Sequence, residues 1–599
     1  MHDAGALTTE TLISLVEVEK AASDAERVRL AALGPEGLVE AGRVLPGLTV
    51  DASDGLTWHL SCIENVSRFR TGDRVVLRSE ATATELSGLL EQSRQTGLLL
   101  DVRLDARATP TVRQDWCMGE VDIDTTGIVL AALRKLHKGG PGWRLFEILR
   151  GVAVEHLGRA RPTPPSFDEL NAAVTGGWAW DDSQRQAIAA CLESPPLECI
   201  WGPPGTGKTQ VLAMVAEGLA RAGNRVVITA PTHQAVNNAL TTVKTLFPER
   251  TVLKVGRDAR RESLADSIEN IVLRDEMAET PPRLRHESII GMTFLSSLTN
   301  LALRRSRLRP NVMLIDEAGQ LPLTQGACAG LCGASSIMLF GDDMQMPPVT
   351  PSALVGLLGA ESLFERARAS MPSAVRRLQV THRLNRELSA TIGDVFYAHP
   401  DQPRLIASEK ASDRRLVLPR GVAASCDPPV REVLESASAF VWVGSGEGSA
   451  RDLNLEEAEL AAQIMEACLA GGMTSDELAA VTPYRRQVVE IQRRLQSRLA
   501  PGGVLPIIDT VERVQGLTVD CIIVSLCSSD PSYVSSVASF LFSPNRLNVA
   551  LSRARMKAVI LASSTLLHQA ELVPAVNLPA DWFAQLMSRA GPTSQAHTA

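Results

Sequence analysis

The most informative stretch of this chain is Gly202-Pro203-Pro204-Gly205-Thr206-Gly207-Lys208-Thr209. It follows an apolar run at 197–200 and opens a helix-like run at 210–214. A G-x-x-x-x-G-K-T turn between a strand and a helix is a phosphate-binding loop, in which backbone N–H groups meet phosphate oxygens. We expect Gly205, Thr206 and Gly207 to cradle the phosphates, Lys208 to reach the β- and γ-phosphates, and Thr209 to ligate Mg²⁺. The sequence therefore predicts binding of a nucleoside triphosphate with Mg²⁺.

Composition limits the class of protein. The chain has 599 residues and a net charge of −8, which is not the basic footprint of a small nucleic-acid-binding domain. A local basic groove on an acidic body is still compatible with these values. The low aromatic content of 4% argues against many base-stacking platforms, so a nucleic acid would be gripped mainly through its phosphates.

Cysteine usage and the N-terminus indicate the compartment. The ten cysteines form no C-x-x-C pair, which favours buried thiols in a reducing compartment over zinc or iron–sulfur sites. No signal pattern and no apolar run of membrane length are visible. We expect a cytoplasmic protein without a membrane partner. The excess of Arg over Lys, the compactness of a predicted barrel and the lack of a disordered tail of eukaryotic type suggest a bacterial source.

The order of apolar runs predicts an α/β fold with two tandem parallel sheets. Buried-strand candidates lie at 197–200, 225–230, 288–292, 312–315 and 337–340, and again at 440–443, 478–482, 521–526 and 558–562. Short β-like segments separated by turns predict a small barrel. The expected domains are a helical segment at 1–45, a β-barrel at 46–125, stalk helices and a linker at 126–165, a first motor domain at 176–362 with a helical insertion at about 240–288, and a second motor domain at 363–599.

Two carboxylates end one of the predicted strands. Asp316 and Glu317 follow the apolar run at 312–315. A buried strand delivers Asp316 to the sheet edge, where it holds Mg²⁺, and Glu317 then polarises the attacking water. The alternative is an acidic turn at a strand end, and the phosphate loop earlier in the chain favours the catalytic role.

Further polar residues follow other strands. Gln345 comes after the strand at 337–340 and is a candidate sensor of the γ-phosphate, although a plain strand–turn explains it equally well. Pro231, Thr232 and His233 follow the strand at 225–230, where N–H groups and hydroxyls suit a nucleic-acid phosphate. Thr232 is alternatively only a helix N-cap.

These motifs, in this order, resemble those of the superfamily 1 helicases, in the branch that includes the nonsense-mediated-decay RNA helicase and its DNA-directed relatives. The matching motifs run from about Trp180 to Leu567. The resemblance implies two RecA-like motor domains and an accessory stalk and barrel.

The resemblance also implies roles for single residues. Gln184 matches the adenine-reading glutamine, and Arg383 and Arg553 match two arginines that act on the γ-phosphate. His382 stands where the family often has a tyrosine that stacks on adenine, and Glu512 matches a residue near the ribose. Residues matching strand-contacting motifs are Pro231, Thr232, His233, Thr293, Pro483, Tyr484 and Thr510.

The implied function is an ATP-dependent helicase or translocase that moves 5′→3′ on single-stranded nucleic acid, with DNA favoured over RNA. One alternative is a nucleic-acid-gated ATPase switch that clamps or remodels a nucleoprotein without processive unwinding. Another is a motor subunit that works with a separate nuclease, in repair or phage defence. The motifs do not separate these three functions.

Overall fold

The computed structural model describes residues 7–63, 65, 67–69, 72–79, 81–94, 98–121, 124–152, 163–256, 264–271, 289–299, 309–349, 354, 357–398, 403–419, 421–446, 448–500, 503–563, 566 and 581–591. Parts of the predicted linker and of the insertion at 240–288 lie outside these residues. The chain divides into two compact units, the first made of residues 1–25 and 124–382 and the second of residues 26–123 and 383–599.

The strands are β1 Val44–Ser53, β2 Thr57–Ser61, β3 Arg74–Ser79, β4 Thr84–Arg94, β5 Leu99–Leu104, β6 Trp116–Glu120, β7 Leu197–Trp201, β8 Val226–Ala230, β9 Val252–Val255, β10 Glu269–Ile271, β11 Ile289–Thr293, β12 Val312–Ile315, β13 Ser336–Gly341, β14 Val375–Arg377, β15 Val380–Thr381, β16 Ile406–Ala407, β17 Phe440–Ser445, β18 Leu478–Thr482, β19 Ile507–Thr510, β20 Val519–Ser525 and β21 Ala554–Ser563.

The helices are α1 Thr9–Ala31, α2 Gly34–Glu40, α3 Thr126–Leu133, α4 Trp143–Leu149, α5 Phe167–Ala172, α6 Asp182–Leu192, α7 Lys208–Arg221, α8 His233–Leu246, α9 Phe294–Thr299, α10 Leu323–Gly326, α11 Leu363–Ser370, α12 Arg386–Phe396, α13 Glu409–Ser412, α14 Pro428–Glu435, α15 Leu455–Ala470, α16 Arg485–Arg498, α17 Pro531–Leu541, α18 Pro544–Leu551 and α19 Trp582–Ser588. Within the described ranges, none of these helices combines the length and apolar character needed to cross a membrane.

The first unit contains an eight-stranded sheet in the order β10-β9-β11-β8-β12-β13-β7-β14, and the pairs between neighbouring strands are parallel. The central strands are buried along their whole length, as expected for a sheet covered by helices on both faces. Helix α7 packs ten buried residues into this core. This arrangement confirms the predicted α/β class for the first unit.

Two details of this sheet differ from the sequence-based expectation. The predicted helical insertion contributes β9 and β10, which extend the sheet at one edge. The opposite edge is β14, which pairs with β7 although it lies beyond the expected boundary at 362. Both strands at the sheet edges are only three residues long, and β14 contains two arginines, so neither carries an apolar run that the sequence pattern reveals.

The second unit contains a five-stranded parallel sheet and a closed barrel. The sheet order is β17-β21-β20-β18-β19, and the barrel order is β1-β2-β5-β4-β3-β6. Trp58 and Trp116 fill the barrel core and meet edge to face with ring centroids 4.9 Å apart. The predicted second parallel sheet and the predicted small barrel are therefore both confirmed.

Candidate nucleotide and nucleic-acid sites

Strand order brings the first-unit motifs to one sheet edge. Strands β11, β8, β12, β13 and β7 are consecutive neighbours and parallel, so their carboxyl ends meet. Thr293 ends β11, and Pro231, Asp316, Asp342 and Gly202 directly follow the other four strands. All of these except Asp342 belong to the motifs singled out from the sequence. This edge is where an open parallel sheet binds its ligand.

The phosphate loop has the backbone that its glycines permit. Gly205 and Gly207 have φ values of +74° and +78°, in the left-handed region that L side chains rarely adopt. Gly207 caps α7, so the loop ends at the positive end of a helix dipole. The Lys208 ammonium donates to the Gly202 carbonyl and so lies folded along the loop. These features are those of an anion-binding turn, with a lysine folded along it.

Asp316 is a buried carboxylate beside the loop. It is only 3% exposed, and its Oδ1 accepts the Glu317 backbone N–H at 3.0 Å. Burial first, and then the neighbouring Glu317 carboxylate, raise the pKa of Asp316 to about 7, while Lys208 opposes the rise. A bound cation relieves this desolvated charge. The carboxylate of Asp316 and the hydroxyl of Thr209 are oxygen donors of the kind that Mg²⁺ takes from proteins.

Among the residues that the structure describes, His, Cys, Asp and Glu side chains form no group of three or more that could hold a metal ion.

Glu317 adopts an unusual backbone conformation. Its φ is +52°, which is rare for a residue with a side chain and typical of functional sites that store strain. Its Oε2 accepts a hydrogen bond from Gln320 Nε2 at 3.1 Å. The turn therefore holds the carboxylate in a defined place directly after Asp316, as a general base requires.

Gln345 is tied to the strand of the phosphate loop through Asp342. Gln345 Nε2 donates to Asp342 Oδ2 at 2.6 Å, and the indole N–H of Trp201 approaches Asp342 Oδ1 at 3.4 Å. The Gly202 N–H also donates to the Gly341 carbonyl at 3.1 Å. These bonds connect Gln345 with the loop through two strand ends, and its role as a sensor of the γ-phosphate stays a prediction.

Gln184 and His382 both contact the loop. Gln184 is fully buried, and its Nε2 donates to the Thr206 carbonyl at 3.0 Å. The backbone N–H of His382 donates to the Gly205 carbonyl at 2.8 Å. In this structure the Gln184 amide therefore supports the loop, and its predicted contact with adenine stays a prediction.

Trp178, which was not singled out from the sequence, lies beside the predicted site residue His382. Its ring centroid lies 6.0 Å from that of His382. Asp181 Oδ2 lies 3.9 Å from His382 Nε2. Burial favours a high pKa for Asp181, but the nearby His382 and hydrogen bonds from Ser183 and the backbone bring the pKa below its ordinary value. The available signal was a tryptophan just before the glutamine motif in a chain with few aromatic residues.

The predicted strand-contacting residues of the first unit lie at the same sheet edge. Thr232 caps α8, and its hydroxyl accepts the Ala235 N–H at 3.2 Å, which is the N-cap role that the sequence left open. Pro231 and His233 flank it, and Thr293 pairs with Ser296 at 2.8 Å between hydroxyls. Contact of these residues with a nucleic acid stays a prediction.

The second unit repeats this arrangement. Pro483 and Tyr484 follow β18, and Thr510 ends the neighbouring strand β19. The Glu512 carboxylate accepts Arg546 Nε at 2.8 Å. For its predicted role near a ribose, the Glu512 carboxylate must either accept a second hydrogen bond or separate from Arg546.

Arg383 and Arg553 meet at Ser552. Arg383 donates to the Ser552 carbonyl at 3.0 Å. Arg553 is 2% exposed and donates to the carbonyls of Val549 and Leu517 at 2.9 and 3.3 Å. The structure thus places the two predicted arginines together, with the Arg553 guanidinium directed into its own unit. Their action on a γ-phosphate stays a prediction.

Comparisons with known proteins agree with the motifs. Two family models, each described as an AAA domain, match residues 179–390 and 359–565. The chain is 29% identical over 536 residues to the DNA replication ATP-dependent helicase/nuclease JHS1 of Arabidopsis thaliana, covering 84% of this chain and 38% of that protein. It is 25% identical over 564 residues to the DNA-binding protein SMUBP-2 of Mesocricetus auratus, covering 83% of this chain and 54% of that protein.

The chain also resembles the solved structure of an arterivirus nonstructural protein 10 (helicase). The two are 12% identical, with a TM-score of 0.36, and the match covers 86% of this chain and 76% of the viral chain. The chain spans only part of the length of the two curated relatives. Both come from eukaryotes, which does not fit the bacterial source expected from the sequence. The order of the motifs, the two domain matches and the helicase relatives confirm the recognition made from the sequence: the chain is related to the superfamily 1 helicases.

Proposed function

We propose that this protein is an ATP-dependent helicase or translocase that acts on single-stranded nucleic acid, with DNA as the favoured track. The observation that carries the proposal is the buried Asp316 beside Glu317 at the same sheet edge as the phosphate loop. This arrangement holds the groups for triphosphate binding and for water activation in one unit. Two of the relatives are a DNA replication helicase/nuclease and a DNA-binding protein, which supports DNA over RNA.

Each residue has a chemical task in this proposal. Lys208 and the loop N–H groups hold the phosphates, and Thr209 and Asp316 hold Mg²⁺, which neutralises phosphate charge when bound. Glu317 orients the attacking water. Arg383 and Arg553 are proposed from the motif resemblance to stabilise the charge that develops on the γ-phosphate. Movement in the 5′→3′ direction is likewise proposed from that resemblance.

The test is steady-state ATP hydrolysis by the wild type and by Lys208→Ala, with no polymer and with single-stranded DNA or RNA of equal length. We expect strong stimulation by DNA, weaker stimulation by RNA and loss of both in Lys208→Ala. Lys138→Ala removes an exposed lysine of the same unit and serves as the matched control. Hydrolysis that neither polymer stimulates would refute the motor proposal.

Strand displacement separates the proposed motor from its alternatives. A duplex with a 5′ single-stranded overhang should be unwound, and the same duplex with a 3′ overhang should not. ATP hydrolysis that DNA stimulates, without displacement of either substrate, would instead favour a nucleic-acid-gated switch. A third possibility is that the protein is a motor subunit that works with a separate nuclease, since one relative is named a helicase/nuclease. Strand displacement that increases when a nuclease is added would support this possibility.

A further inference from the structure

Three half-buried aromatic rings cluster at the edge of the second sheet. Tyr484 follows β18, and the ring centroids of Tyr533 and Phe540 on α17 lie 6.2 and 5.9 Å from its own. The chain contains three tyrosines in all, and two of them are here. We call Tyr484, Tyr533 and Phe540 the aromatic face.

The geometry of α17 explains why these rings stand together. Tyr533 and Phe540 are seven residues apart, so they lie on one side of the helix and about 10 Å apart along its axis. Val534 and Leu541, each one position further on, are the buried residues that anchor α17. The two rings therefore sit at the margin of the anchored side, partly open to solvent, and Tyr484 bridges them.

Arginines surround the aromatic face. The Arg546 guanidinium lies 4.1 Å from the Phe540 ring centre, and that of Arg451 lies 6.0 Å from the Tyr533 ring centre. Arg451 is 63% exposed and pairs with Asp530 at 3.2 Å. Asp530 is only 14% exposed and also caps α17 by accepting the Tyr533 N–H. The Arg451 guanidinium has five N–H donors and is largely exposed, so it can donate to a phosphate while the carboxylate stays in place.

The position of the face indicates its ligand. Tyr484 and Pro483 follow one strand of the parallel sheet, and Thr510 ends the neighbouring strand, so all three lie at the carboxyl edge where such sheets bind ligands. Aromatic rings flanked by arginines are the usual platform for unstacked bases, because every base has a π-face and every nucleotide a phosphate.

We propose that the aromatic face is a base-stacking site for single-stranded nucleic acid, in which Tyr533 and Phe540 contact bases and Arg451 contacts the adjoining phosphate. This inference rests on the proposed function, since it requires a single-stranded track. It also adds a contact with bases to the expectation that a nucleic acid is gripped mainly through its phosphates. The competing explanation is that the rings only pack α17 against the sheet.

Equilibrium binding of the full-length chain, without ATP, distinguishes these explanations. The probes are a short fluorescent single-stranded DNA and the same sugar–phosphate strand made entirely of abasic sites. Tyr533→Ala should weaken binding of the normal strand about fivefold or more, since one stacked base contributes at least about that factor. Binding of the abasic strand should be unchanged, and so should the slope of affinity against salt, because the phosphate contacts remain.

Three further variants test whether the loss of binding comes from the missing ring. Tyr533→Phe keeps the ring and should bind as the wild type does, and Ser539→Ala changes an exposed neighbour on the same helix without removing a ring. Phe540→Ala should reproduce the selective loss, and thermal unfolding of each variant reports any damage to the fold. Equal losses on both strands, or no loss, would overturn the stacking site. A wild type that binds neither strand would instead refute the proposed function itself.

Discussion

Replacing Gly207 by alanine tests the phosphate loop at the point where its geometry is tightest. Gly207 has φ +78°, and a Cβ added there would lie 2.6 Å from Gln184 Nε2, the atom that donates to the Thr206 carbonyl. The substitution therefore imposes a left-handed backbone on alanine and also displaces a buried amide. The next nearest side-chain atoms are Gln210 Oε1, at 3.5 Å, and Gln184 Cδ, at 3.8 Å.

The two effects set the expected size of the loss. A left-handed conformation costs a residue with a side chain about 1–2 kcal/mol, and losing a buried hydrogen bond with its partner left unsatisfied costs about 1–3 kcal/mol. The sum of about 2–5 kcal/mol corresponds to an increase of roughly 30-fold to several-thousand-fold in the KM for ATP, if the loop must regain its shape to bind. The assay is steady-state ATP hydrolysis over a range of ATP concentrations, with thermal unfolding measured in parallel.

Two companion variants make the test decisive. Gly472 has φ +97° with no atom within 4 Å of an added Cβ, so Gly472→Ala carries similar backbone strain in the other unit and should leave the KM for ATP unchanged. Gln184→Ala removes the displaced amide, so the double variant with Gly207→Ala should lose less than the two single losses combined. A wild-type KM in Gly207→Ala, or strict additivity in the double variant, would refute the reasoning.

Further predictions concern three other side chains. Glu317→Gln should lower kcat about 100-fold or more while nucleotide binding persists, since a general base contributes about 10²–10⁴-fold; kcat and the binding of a fluorescent ATP analogue check this. Burial raises the pKa of Glu198 from its ordinary 4.5 to about 7 against the opposing charge of Arg376, so the folded chain binds this proton more tightly than the unfolded chain, and stability should fall as pH rises from about 4.5 to 7. Glu198→Gln should therefore raise the unfolding temperature at pH ~8 but not at pH ~4.5, and an equal effect at both pH values would contradict the burial argument. Trp178→Ala should raise the KM for ATP several-fold with little change in kcat, because Trp178 packs beside His382; an unchanged KM would remove Trp178 from the nucleotide site.

The catalytic motifs were predictable because each is local in sequence. A strand, a glycine-rich turn and a helix start are contiguous at Gly202 to Thr209, and the carboxylates Asp316 and Glu317 directly follow their strand. Apolar runs long enough to cross a sheet also revealed the two parallel sheets. In each case the physical cause, a buried strand or a backbone that only glycine tolerates, acts within a few residues.

Other features depended on contacts between distant segments. The short polar strand β14 joins the first sheet only because β7 offers a free edge. Gln184 supports the loop through the Thr206 carbonyl, 22 residues away along the chain. The aromatic face unites Tyr484 with rings that follow a different strand, so no spacing in the sequence indicates it. The local motifs predicted nucleotide binding and the fold class. Which side chains share a surface depends on tertiary packing, because only the strand order brings distant residues to the same sheet edge.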